Sequence, residues 1–292
     1  MSVRVAKSAG FCFGVSRAVE LVEKAAQEGR KVATLGPIIH NRHVVDKFEK
    51  MGVRVIDTPE EALPGETVII RSHGISRAVY ERLEAQKVEI IDATCPFVKR
   101  IHTIVSRASE EGRLPIIIGT PTHPEVEGIA GWCGDCRVFQ DVSELENWVK
   151  SEKISRDLAI CMVSQTTSTE SLWKLCGEFA KKQFTNLKIF DTICRATEYR
   201  QSEAAELSGV CQAMVVVGDP KSSNTGRLAM ICREHCDKVF LVDNAAELKA
   251  EDFSGVTDVG ITAGASTPAW IIKEVNKTMS EITNAEAVQE EN

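Results

Sequence analysis

The sequence predicts an α/β protein built from three pseudo-symmetric units with mostly parallel sheets. Short apolar runs that end in glycine alternate with longer stretches whose apolar residues recur at helical spacing, a pattern typical of parallel sheets flanked by helices. The pattern recurs three times at intervals of about ninety residues, and such internal repeats indicate a fold assembled from like units. A length of 292 residues also favours more than one domain.

Each unit has a cysteine just ahead of a predicted helix. The cysteines are Cys12 in SAGFCFGVSRAVELVEK, Cys95 in DATCPFVKRIHTIVSRA and Cys194 in DTICRATEYRQSEAAEL. Apolar stripes at helical spacing follow the first two: Val15, Ala18, Val19, Val22 and Ala25, then Val98, Ile101, Ile104, Val105 and Ala108. Pro96, directly after its cysteine, is typical of a first helical residue.

A predicted strand and a polar loop come next in every unit. The strands VATLG, PIIIG and AMVVVG each end 24 positions after the cysteine, at Gly36, Gly119 and Gly218. In the loops that follow, His40, His123 and Ser222 stand 28 positions after the cysteine, and Arg42, Glu125 and Asn224 stand 30 positions after it. A polar side chain is therefore expected at one equivalent place in all three units.

A second polar loop follows another apolar run in each unit. These loops are RSHGIS with His73, SQTTS with Thr166 and AGAST with Ser266. Ligands of parallel α/β sheets bind beyond the carboxyl ends of the strands, where these loops lie. The polar, acidic segment from 281 to 292 is expected to be frayed.

Composition excludes several classes of function. The chain has 35 Lys and Arg against 42 Asp and Glu, a net charge of -7, which argues against a broad nucleic-acid surface. No apolar run approaches the roughly 20 residues of a membrane helix, and 1–10 lacks the apolar core of a secretion signal. We therefore expect a cytoplasmic protein that binds neither nucleic acid nor membrane.

Three equivalent cysteines would converge if the units are arranged about a pseudo-threefold axis. Three thiolates suit an iron-sulfur cluster or a zinc ion. A cubane cluster with three protein ligands leaves one iron open to substrate, whereas a closed zinc site needs a fourth side chain that the repeat does not supply. The remaining cysteines are expected to be structural: Cys133, Cys136, Cys161, Cys176, Cys211, Cys232 and Cys236.

Cys133 and Cys136 form a CxxC pair that superficially resembles a thioredoxin motif. The pair falls between a predicted helix and the strand CRVF, whereas an activated cysteine usually lies at a helix N-terminus. Catalytic redox chemistry is therefore not expected there. His43, His102 and His235 lie inside helical patterns and are expected to be structural or exposed.

The side chains of the predicted loops are mainly hydrogen-bond donors. With helix N-termini nearby, such donors suit a phosphate or diphosphate group. The sequence GxxxxGK[ST] is absent, which excludes a P-loop nucleotide site.

The motif series resembles the 4-hydroxy-3-methylbut-2-enyl diphosphate reductase family. The matching segments, in order from about residue 4 to about residue 275, are GFCFGVSRAVE, LGPIIHNRHVV, SHGIS, DATCPFV, THPEVEG, VSQTTS, DTIC, SSN and AGAST. The resemblance implies a trefoil of three α/β domains around a central 4Fe-4S cluster, one per subunit. It implies domains at 14–94, at 95–193, and at 194–281 joined by an N-terminal strand in 1–13, with a disordered tail at 282–292.

The resemblance also implies a role for each site residue. Cys12, Cys95 and Cys194 would be the three cluster ligands, leaving the fourth iron open. The diphosphate would be held by His40, His73, His123, Ser222, Ser223, Asn224 and Ser266. Glu125 would deliver protons, Thr166 would order the substrate hydroxyl and a water, and His123 would share in catalysis.

The implied reaction is the reductive removal of the allylic hydroxyl, giving isopentenyl and dimethylallyl diphosphates in the last step of the methylerythritol phosphate route. Ferredoxin or flavodoxin would supply the electrons. Arg195 stands where the family often has tyrosine, and Arg71 and Ser72 stand where small residues are commoner. These departures bear on donor docking or loop packing and leave the ligand set intact.

Two alternatives stay open at this point. A quinolinate-synthase-like lyase also places a three-cysteine cluster among three related domains, but it would lack the THPEVEG and SSN motifs that this chain has. A zinc-stabilised anion-binding module without catalysis is the other alternative, and the metal content of the protein distinguishes it.

Overall fold

The computed structural model describes residues 2–290, with side chains through residue 282. The strands are β1 (Ser2–Val5), β2 (Lys31–Leu35), β3 (Arg54–Ile56), β4 (Glu66–Ile70), β5 (Glu89–Asp92), β6 (Leu114–Ile118), β7 (Arg137–Phe139), β8 (Ile160–Ser164), β9 (Leu187–Ile189), β10 (Ala213–Val217), β11 (Lys238–Val242) and β12 (Asp258–Ala263). The helices are α1 (Phe13–Gln27), α2 (Arg42–Lys50), α3 (Arg77–Ala85), α4 (Pro96–Glu110), α5 (Pro124–Ala130), α6 (Val142–Ser151), α7 (Glu170–Gln183), α8 (Arg195–Ser208), α9 (Ser223–His235) and α10 (Ala269–Glu290).

The described residues form three four-stranded parallel sheets that share one strand order. The orders are β3-β2-β4-β5, β7-β6-β8-β9 and β11-β10-β12-β1. In the third sheet the fourth place belongs to the N-terminal strand β1, which pairs in parallel with β12, Ser2 opposite Asp258 and Val5 opposite Ile261. The α/β fold with repeated parallel sheets predicted from the sequence is confirmed.

The chain forms two compact units. The terminal unit is drawn from Met1–Ser16, His40–Val45 and Arg195–Asn292 and contains the sheet β11-β10-β12-β1. The central unit is drawn from Arg17–Ile39 and Asp46–Cys194 and contains the other two sheets.

Both faces of the sheets are buried, as expected for parallel strands between helices. In the terminal unit, Val215 and Val217 pack toward Ile271 and Val275 of α10, while Met214 faces the α8 and α9 side. The stripe predicted on α1 is buried, and so is that on α4 except for the half-buried Ile104. Full burial of one such side chain contributes about 1.5–3 kcal/mol, so these stripes fix where the helices lie.

Five cysteines predicted to be structural are buried: Cys161, Cys176, Cys211, Cys232 and Cys236. Burial raises the pKa of the Cys161 thiol to about 11 and that of the Cys232 thiol to about 12. Neither thiol is a thiolate at neutral pH, which suits a small apolar side chain.

α10 includes part of the segment predicted to be a disordered tail, and the disorder itself stays a prediction. α10 continues to Glu290, because alanine and glutamate favour helix and 282–290 contains neither glycine nor proline. The predicted tail at 291–292 lies outside the described residues. α10 is 22 residues long, yet neither it nor another helix within 2–290 is long and apolar enough to cross a membrane.

Candidate active site

The three repeat cysteines occupy equivalent positions. Each is followed directly by the first residue of a helix: Phe13 of α1, Pro96 of α4 and Arg195 of α8. The backbone N–H of each donates a hydrogen bond to a loop carbonyl, from Cys12 to Ala265 (3.2 Å), from Cys95 to Ser72 (2.9 Å) and from Cys194 to Thr166 (3.0 Å). Each acceptor lies two residues beyond a strand end, after β12, β4 and β8. The repeat predicted this equivalence, which is confirmed.

The chemistry of these cysteines fits an iron-sulfur cluster. All three side chains are partly exposed, and each cysteine directly precedes the first residue of a helix. Within 2–290, no group of three or more His, Cys, Asp or Glu side chains is placed to hold a single metal ion. Three thiols that each directly precede a helix are of the kind that iron-sulfur clusters bind, since cysteine thiolates are their usual protein ligands.

The segment before Cys12 is anchored by two side chains of α8 that the sequence analysis missed. The Glu203 carboxylate accepts hydrogen bonds from the backbone N–H groups of Lys7 and Ser8, both at 2.8 Å. Burial opposes ionisation of Glu203, but the hydrogen bonds from Ser8 and Lys7 outweigh it and hold the pKa below its usual range. Arg200 donates to the Gly10 carbonyl at 2.7 Å. Their signal in sequence is weak, because α8 is polar on most sides.

The segment before Cys95 is held by a second set of charges. Arg17 of α1 donates to the carbonyls of Thr94 (3.3 Å) and Asp92 (3.1 Å). The Asp92 carboxylate accepts from the Thr94 N–H at 2.9 Å and pairs with Lys99 at 2.5 Å. Burial alone would raise the pKa of Asp92, but the contacts with Lys99 and Thr94 lower it. An ionised Asp92 therefore fixes the turn into α4.

Glu125 and Thr166 form a buried pair in the central unit. Glu125, in the first turn of α5, is 3% exposed. Its Oε1 accepts the Thr166 backbone N–H at 2.6 Å, and its Oε2 accepts the Thr166 hydroxyl at 2.8 Å. Hydrogen bonds to both oxygens hold the carboxyl group in one orientation. The Thr166 carbonyl is also the acceptor for Cys194 N–H, so one residue joins the acid to a cysteine.

His123 and His73 lie beside each other in the same unit. His123 is the N-cap of α5, and its Nδ1 accepts the Glu125 N–H at 3.1 Å. A neutral His123 therefore carries its proton on Nε2, where it can be donated. The two imidazole rings lie edge to face with centroids 5.7 Å apart. The structure thus brings His73, His123, Glu125 and Thr166 together in the central unit.

The loop that carries His73 packs on His102 and Trp132. Gly74 has φ +75°, and a Cβ there would lie 2.7 Å from His102 Cε1, so glycine is required. The His102 and Trp132 rings stack at 5.4 Å, and Trp132 Nε1 donates to the Ile75 carbonyl at 2.9 Å. Burial lowers the pKa of His102 to about 4, which keeps its ring neutral. The structural role predicted for His102 is confirmed.

The other two histidines predicted to lie in helices do so. His43 Nε2 contacts Asp243 Oδ2 at 2.9 Å, and His235 is exposed at the end of α9.

In the terminal unit, the predicted site residues cluster at the start of α9. Ser222 caps the helix, and Ser266 Oγ donates to Ser222 Oγ at 3.4 Å. Asn224 is 4% exposed, yet neither its side-chain nitrogen nor its oxygen has a hydrogen-bond partner among the described residues. A buried unpaired polar group costs about 1–3 kcal/mol, so this arrangement fits a polar ligand that supplies the missing partners. Ser223 is half-buried beside it.

His40 is followed by a second buried amide that the sequence analysis missed. Asn41 Oδ1 accepts the Val44 N–H at 3.1 Å and caps α2. Asn41 is 1% exposed, and its Nδ2 has no hydrogen-bond partner within the described chain. Its position in GPIIHN, directly before a predicted helix, is the signal by which it could have been found.

The residues that depart from the family pattern have defined places. Arg71 is half-buried over Gly36, where a Cβ would meet its guanidinium at 2.8 Å, and burial lowers its pKa. Ser72 is buried and donates to the Ile38 carbonyl at 3.1 Å. Arg195 is exposed at the start of α8.

A family model matches nearly the whole chain. The model described as LytB protein matches residues 3–280. The chain belongs to the LytB family. The resemblance stated from the motifs is thereby confirmed.

Relatives and solved structures of the LytB family agree over nearly the whole chain. A 4-hydroxy-3-methylbut-2-enyl diphosphate reductase of Caldanaerobacter subterraneus subsp. tengcongensis is 44% identical over 280 residues, covering 94% of this chain and 95% of that one. The enzyme of the same name from Nitratiruptor sp. is 41% identical, covering 97% and 99%.

Two solved structures are similar in fold and sequence. One, described as (E)-4-hydroxy-3-methyl-but-2-enyl diphosphate reductase, the terminal enzyme of the non-mevalonate pathway, has a TM-score of 0.69 at 38% identity, covering 96% of this chain and all of that one. The other, the E-1-hydroxy-2-methyl-but-2-enyl-4-diphosphate reductase from Plasmodium falciparum, has a TM-score of 0.88 at 28% identity, covering 95% and 86%. These names favour the reductase prediction over the quinolinate-synthase-like alternative.

Proposed function

We propose that this LytB-family chain is an oxidoreductase that converts (E)-4-hydroxy-3-methylbut-2-enyl diphosphate into isopentenyl and dimethylallyl diphosphates. This would be the last step of the non-mevalonate route to isoprenoids. The observation that carries the proposal is the place of Thr166, which binds the Glu125 carboxylate through its N–H and hydroxyl and the Cys194 N–H through its carbonyl. A proton donor is thus tied to a residue suited to bind an electron-carrying cluster.

The proposed cofactor is one 4Fe-4S cluster per subunit, held by Cys12, Cys95 and Cys194. The LytB family is iron-sulfur dependent, and the thiols at three helix starts suit such a cluster. When bound, a cluster with three protein ligands supplies single electrons and leaves its fourth iron open to substrate. The backbone hydrogen bonds to Ala265, Ser72 and Thr166 hold the three cysteines in place for it.

The diphosphate is proposed to bind His40, His73, His123, Ser222, Ser223, Asn224 and Ser266. The unpaired amide of Asn224 and the start of α9 support this assignment, because both can donate to phosphate oxygens. His123 can donate from Nε2, since its Nδ1 is already an acceptor.

Proton delivery is assigned to Glu125, with Thr166 and His123 as the other catalytic residues. When Glu125 is protonated, its Oε2–H can donate to Thr166 Oγ1, and the Thr166 hydroxyl can pass its own proton toward the substrate hydroxyl. The reaction takes up two electrons and two protons, and the hydroxyl leaves as water. A positioned carboxylic acid of this kind contributes typically 10²- to 10⁴-fold in rate.

The proposal extends to partners and organisation. The electron donor is ferredoxin or flavodoxin, and exposed Arg195 bears on how it docks. No nucleic acid or membrane takes part, and the protein works in the cytoplasm. The shared strand order of the three sheets supports domains at 14–94, 95–193 and 194–281 with the strand from 1–13.

Anaerobic purification followed by metal analysis and turnover tests the proposal. Iron and acid-labile sulfide are expected in near-equal amounts, with reduction of the hydroxylated diphosphate by a chemical reductant. Cys194→Ser should lose both cluster and turnover, while Cys176→Ser, at a buried structural cysteine, should keep them. Zinc without sulfide would identify the anion-binding module instead, and a loaded cluster without turnover would exclude the reductase.

A further inference from the structure

Asn41 has one hydrogen-bonding group that neither the fold nor the proposed site explains. The residue lies between His40 and the first residue of α2, and it is 1% exposed. Its Oδ1 accepts the Val44 N–H at 3.1 Å, whereas its Nδ2 has no hydrogen-bond partner within the described chain. Because an N–H group donates and cannot accept, the atom that faces Val44 must be the amide oxygen. The amide therefore cannot be turned over to give its nitrogen a partner.

Helix capping does not require this nitrogen. Asparagine, aspartate and serine cap a helix about equally well, because each offers a side-chain oxygen to the backbone N–H groups of the first turn. Four other helices of this chain are capped by side chains without an amide: Ser76, Asp141, Thr169 and Ser222. A buried donor without an acceptor destabilises the folded state. An asparagine at position 41 therefore indicates an acceptor that comes from outside the described residues.

The start of α2 lies at the same sheet edge as two proposed diphosphate residues of the terminal unit. His43, in the first turn of α2, contacts Asp243 at 2.9 Å, and Asp243 directly follows β11. The next two strands of that sheet, β10 and β12, lead into the loops that carry Ser222 and Ser266. The three strands are parallel, so their carboxyl ends share one edge. Asn41 is thus two residues from a side chain that contacts this edge.

The surroundings of Asn41 favour an anionic acceptor. The first turn of α2, with the sequence RHVV, has no acidic residue and includes Arg42 and His43. The helix start adds the positive end of its dipole and its free backbone N–H groups. Asp243 faces this turn and contacts His43 through Oδ2. Its Oδ1 also has no hydrogen-bond partner among the described residues, which makes it a rival acceptor that the experiment must distinguish.

We propose that Asn41 is a further binding residue, which donates from Nδ2 to a phosphate oxygen of the diphosphate. This inference rests on the proposed function, because it takes the ligand of the terminal unit to be the substrate diphosphate. The buried amides of Asn41 and Asn224, both in this unit, then have one explanation, since each gains an acceptor when the ligand binds. Asn41 precedes α2 and Asn224 lies in the first turn of α9, so the ligand meets two helix starts.

Two substitutions at position 41 distinguish a ligand donor from a helix cap. Asn41→Ser and Asn41→Asp both keep an oxygen that can accept the Val44 N–H, and both remove the amide nitrogen. Isothermal titration of the cluster-loaded protein with inorganic pyrophosphate under argon measures the dissociation constant. Asn41→Ser should raise it about 10- to 150-fold, and Asn41→Asp should raise it further because a carboxylate repels the anion. Asp141→Asn, the reverse exchange at the exposed cap of α6, is the matched control and should leave it unchanged.

Melting temperatures without pyrophosphate complete the test. Ligand-free Asn41→Ser should melt at the parent temperature or higher, since the cap remains and the unpaired nitrogen is gone. A lower melting temperature with an unchanged dissociation constant would pair Asn41 with a protein acceptor such as Asp243 and would overturn the inference. Equal dissociation constants in the parent and both variants would also overturn it, while leaving the proposed function in place. If pyrophosphate did not bind the parent protein, the diphosphate site itself would be wrong, and the inference with it.

Discussion

Glu125 and Asn224 stand at the same place in two repeats, yet they are left in opposite states. Each lies 30 residues after its repeat cysteine, in the first turn of a helix, and each is nearly fully buried, at 3% and 4% exposure. Both oxygens of Glu125 accept hydrogen bonds from Thr166. The Asn224 amide has no hydrogen-bond partner in the part of the chain that the structure describes.

The facing loops explain the difference. Thr166 lies two residues after β8 and supplies a hydroxyl, whereas the residue two positions after β12 is Ala265, which has none. Both residues keep the backbone role, since each carbonyl accepts the N–H of a repeat cysteine. One repeat therefore holds the Glu125 carboxyl group in a fixed orientation through Thr166. The other leaves the Asn224 amide for a ligand to hydrogen-bond.

The largest effect is expected from changing Glu125, whose two carboxylate oxygens both accept hydrogen bonds from Thr166. Glu125→Gln keeps size and hydrogen bonding, since the amide can donate to Thr166 Oγ1, but it cannot deliver a proton. Anaerobic single-turnover kinetics with a pre-reduced cluster should show hydroxyl loss slowed by roughly 10²- to 10⁴-fold, with near-normal cluster content and substrate binding. An unchanged rate would remove Glu125 from proton delivery.

The next largest effect is expected at Asn224, whose amide has no hydrogen-bond partner among the described residues. Asn224→Ala should weaken diphosphate binding by about 10- to 150-fold, the equivalent of about 1.5–3 kcal/mol for a hydrogen bond to a charged group. The ligand-free variant should unfold at the same temperature as the parent protein or higher, because a buried unpaired amide is removed.

One experiment with pyrophosphate tests both expectations for Asn224→Ala, the weaker binding and the unchanged or higher unfolding temperature. Melting curves with and without pyrophosphate should show strong stabilisation of the parent protein and little of Asn224→Ala, because only binding to the folded state raises the melting temperature. If ligand-free Asn224→Ala were destabilised and pyrophosphate stabilised it fully, Asn224 would be a packing residue instead of a binding residue.

A smaller effect tests whether Thr166 is the reason that Glu125 is satisfied. Thr166→Val removes the hydroxyl and leaves a buried carboxylate oxygen without its donor, at an expected loss of about 1–3 kcal/mol in the free energy of unfolding. Thr166→Ser keeps the hydroxyl and should lose less than half as much. Denaturant titration of the three proteins under argon measures this, and equal losses in both variants would assign the effect to packing of the methyl group.

The sequence predicted more of the fold than of the hydrogen bonds that hold the candidate site. Period and spacing predicted the parallel sheets and the equivalence of Cys12, Cys95 and Cys194, because a repeat forces like residues into like positions. Arg200 and Glu203 escaped prediction, since their partners are backbone groups of a segment about 190 residues away. Side chains that bind distant backbone leave no periodic signal.

The disordered tail at 282–292 stays a prediction, although α10 continues to Glu290.

His102 sharpens the comparison because it is an unpaired buried group with no role for a ligand. Its Nε2 has no hydrogen-bond partner within the described residues, as with Asn224, but its ring is stacked on Trp132 and packed against Gly74. Burial lowers the pKa of His102 to about 4, below the 6.5 of an unfolded chain. Between these two values the unfolded state binds the proton and the folded state does not, so stability must fall as the pH falls from about 6.5 toward about 4.

The smallest predicted effect follows from this sign. Lowering the pH from about 7.5 to about 5.5 should cost the parent protein about 1 kcal/mol more than it costs His102→Gln, which has no proton to bind. His235→Gln, at an exposed histidine of α9, is the matched control and should follow the parent protein. The free energy of unfolding is measured at both pH values for all three proteins. If the parent and His102→Gln lost equal stability between the two pH values, His102 would bind its proton as readily in the folded state as in the unfolded state. The distinction between a histidine kept neutral by burial and an asparagine left for a ligand would then fail.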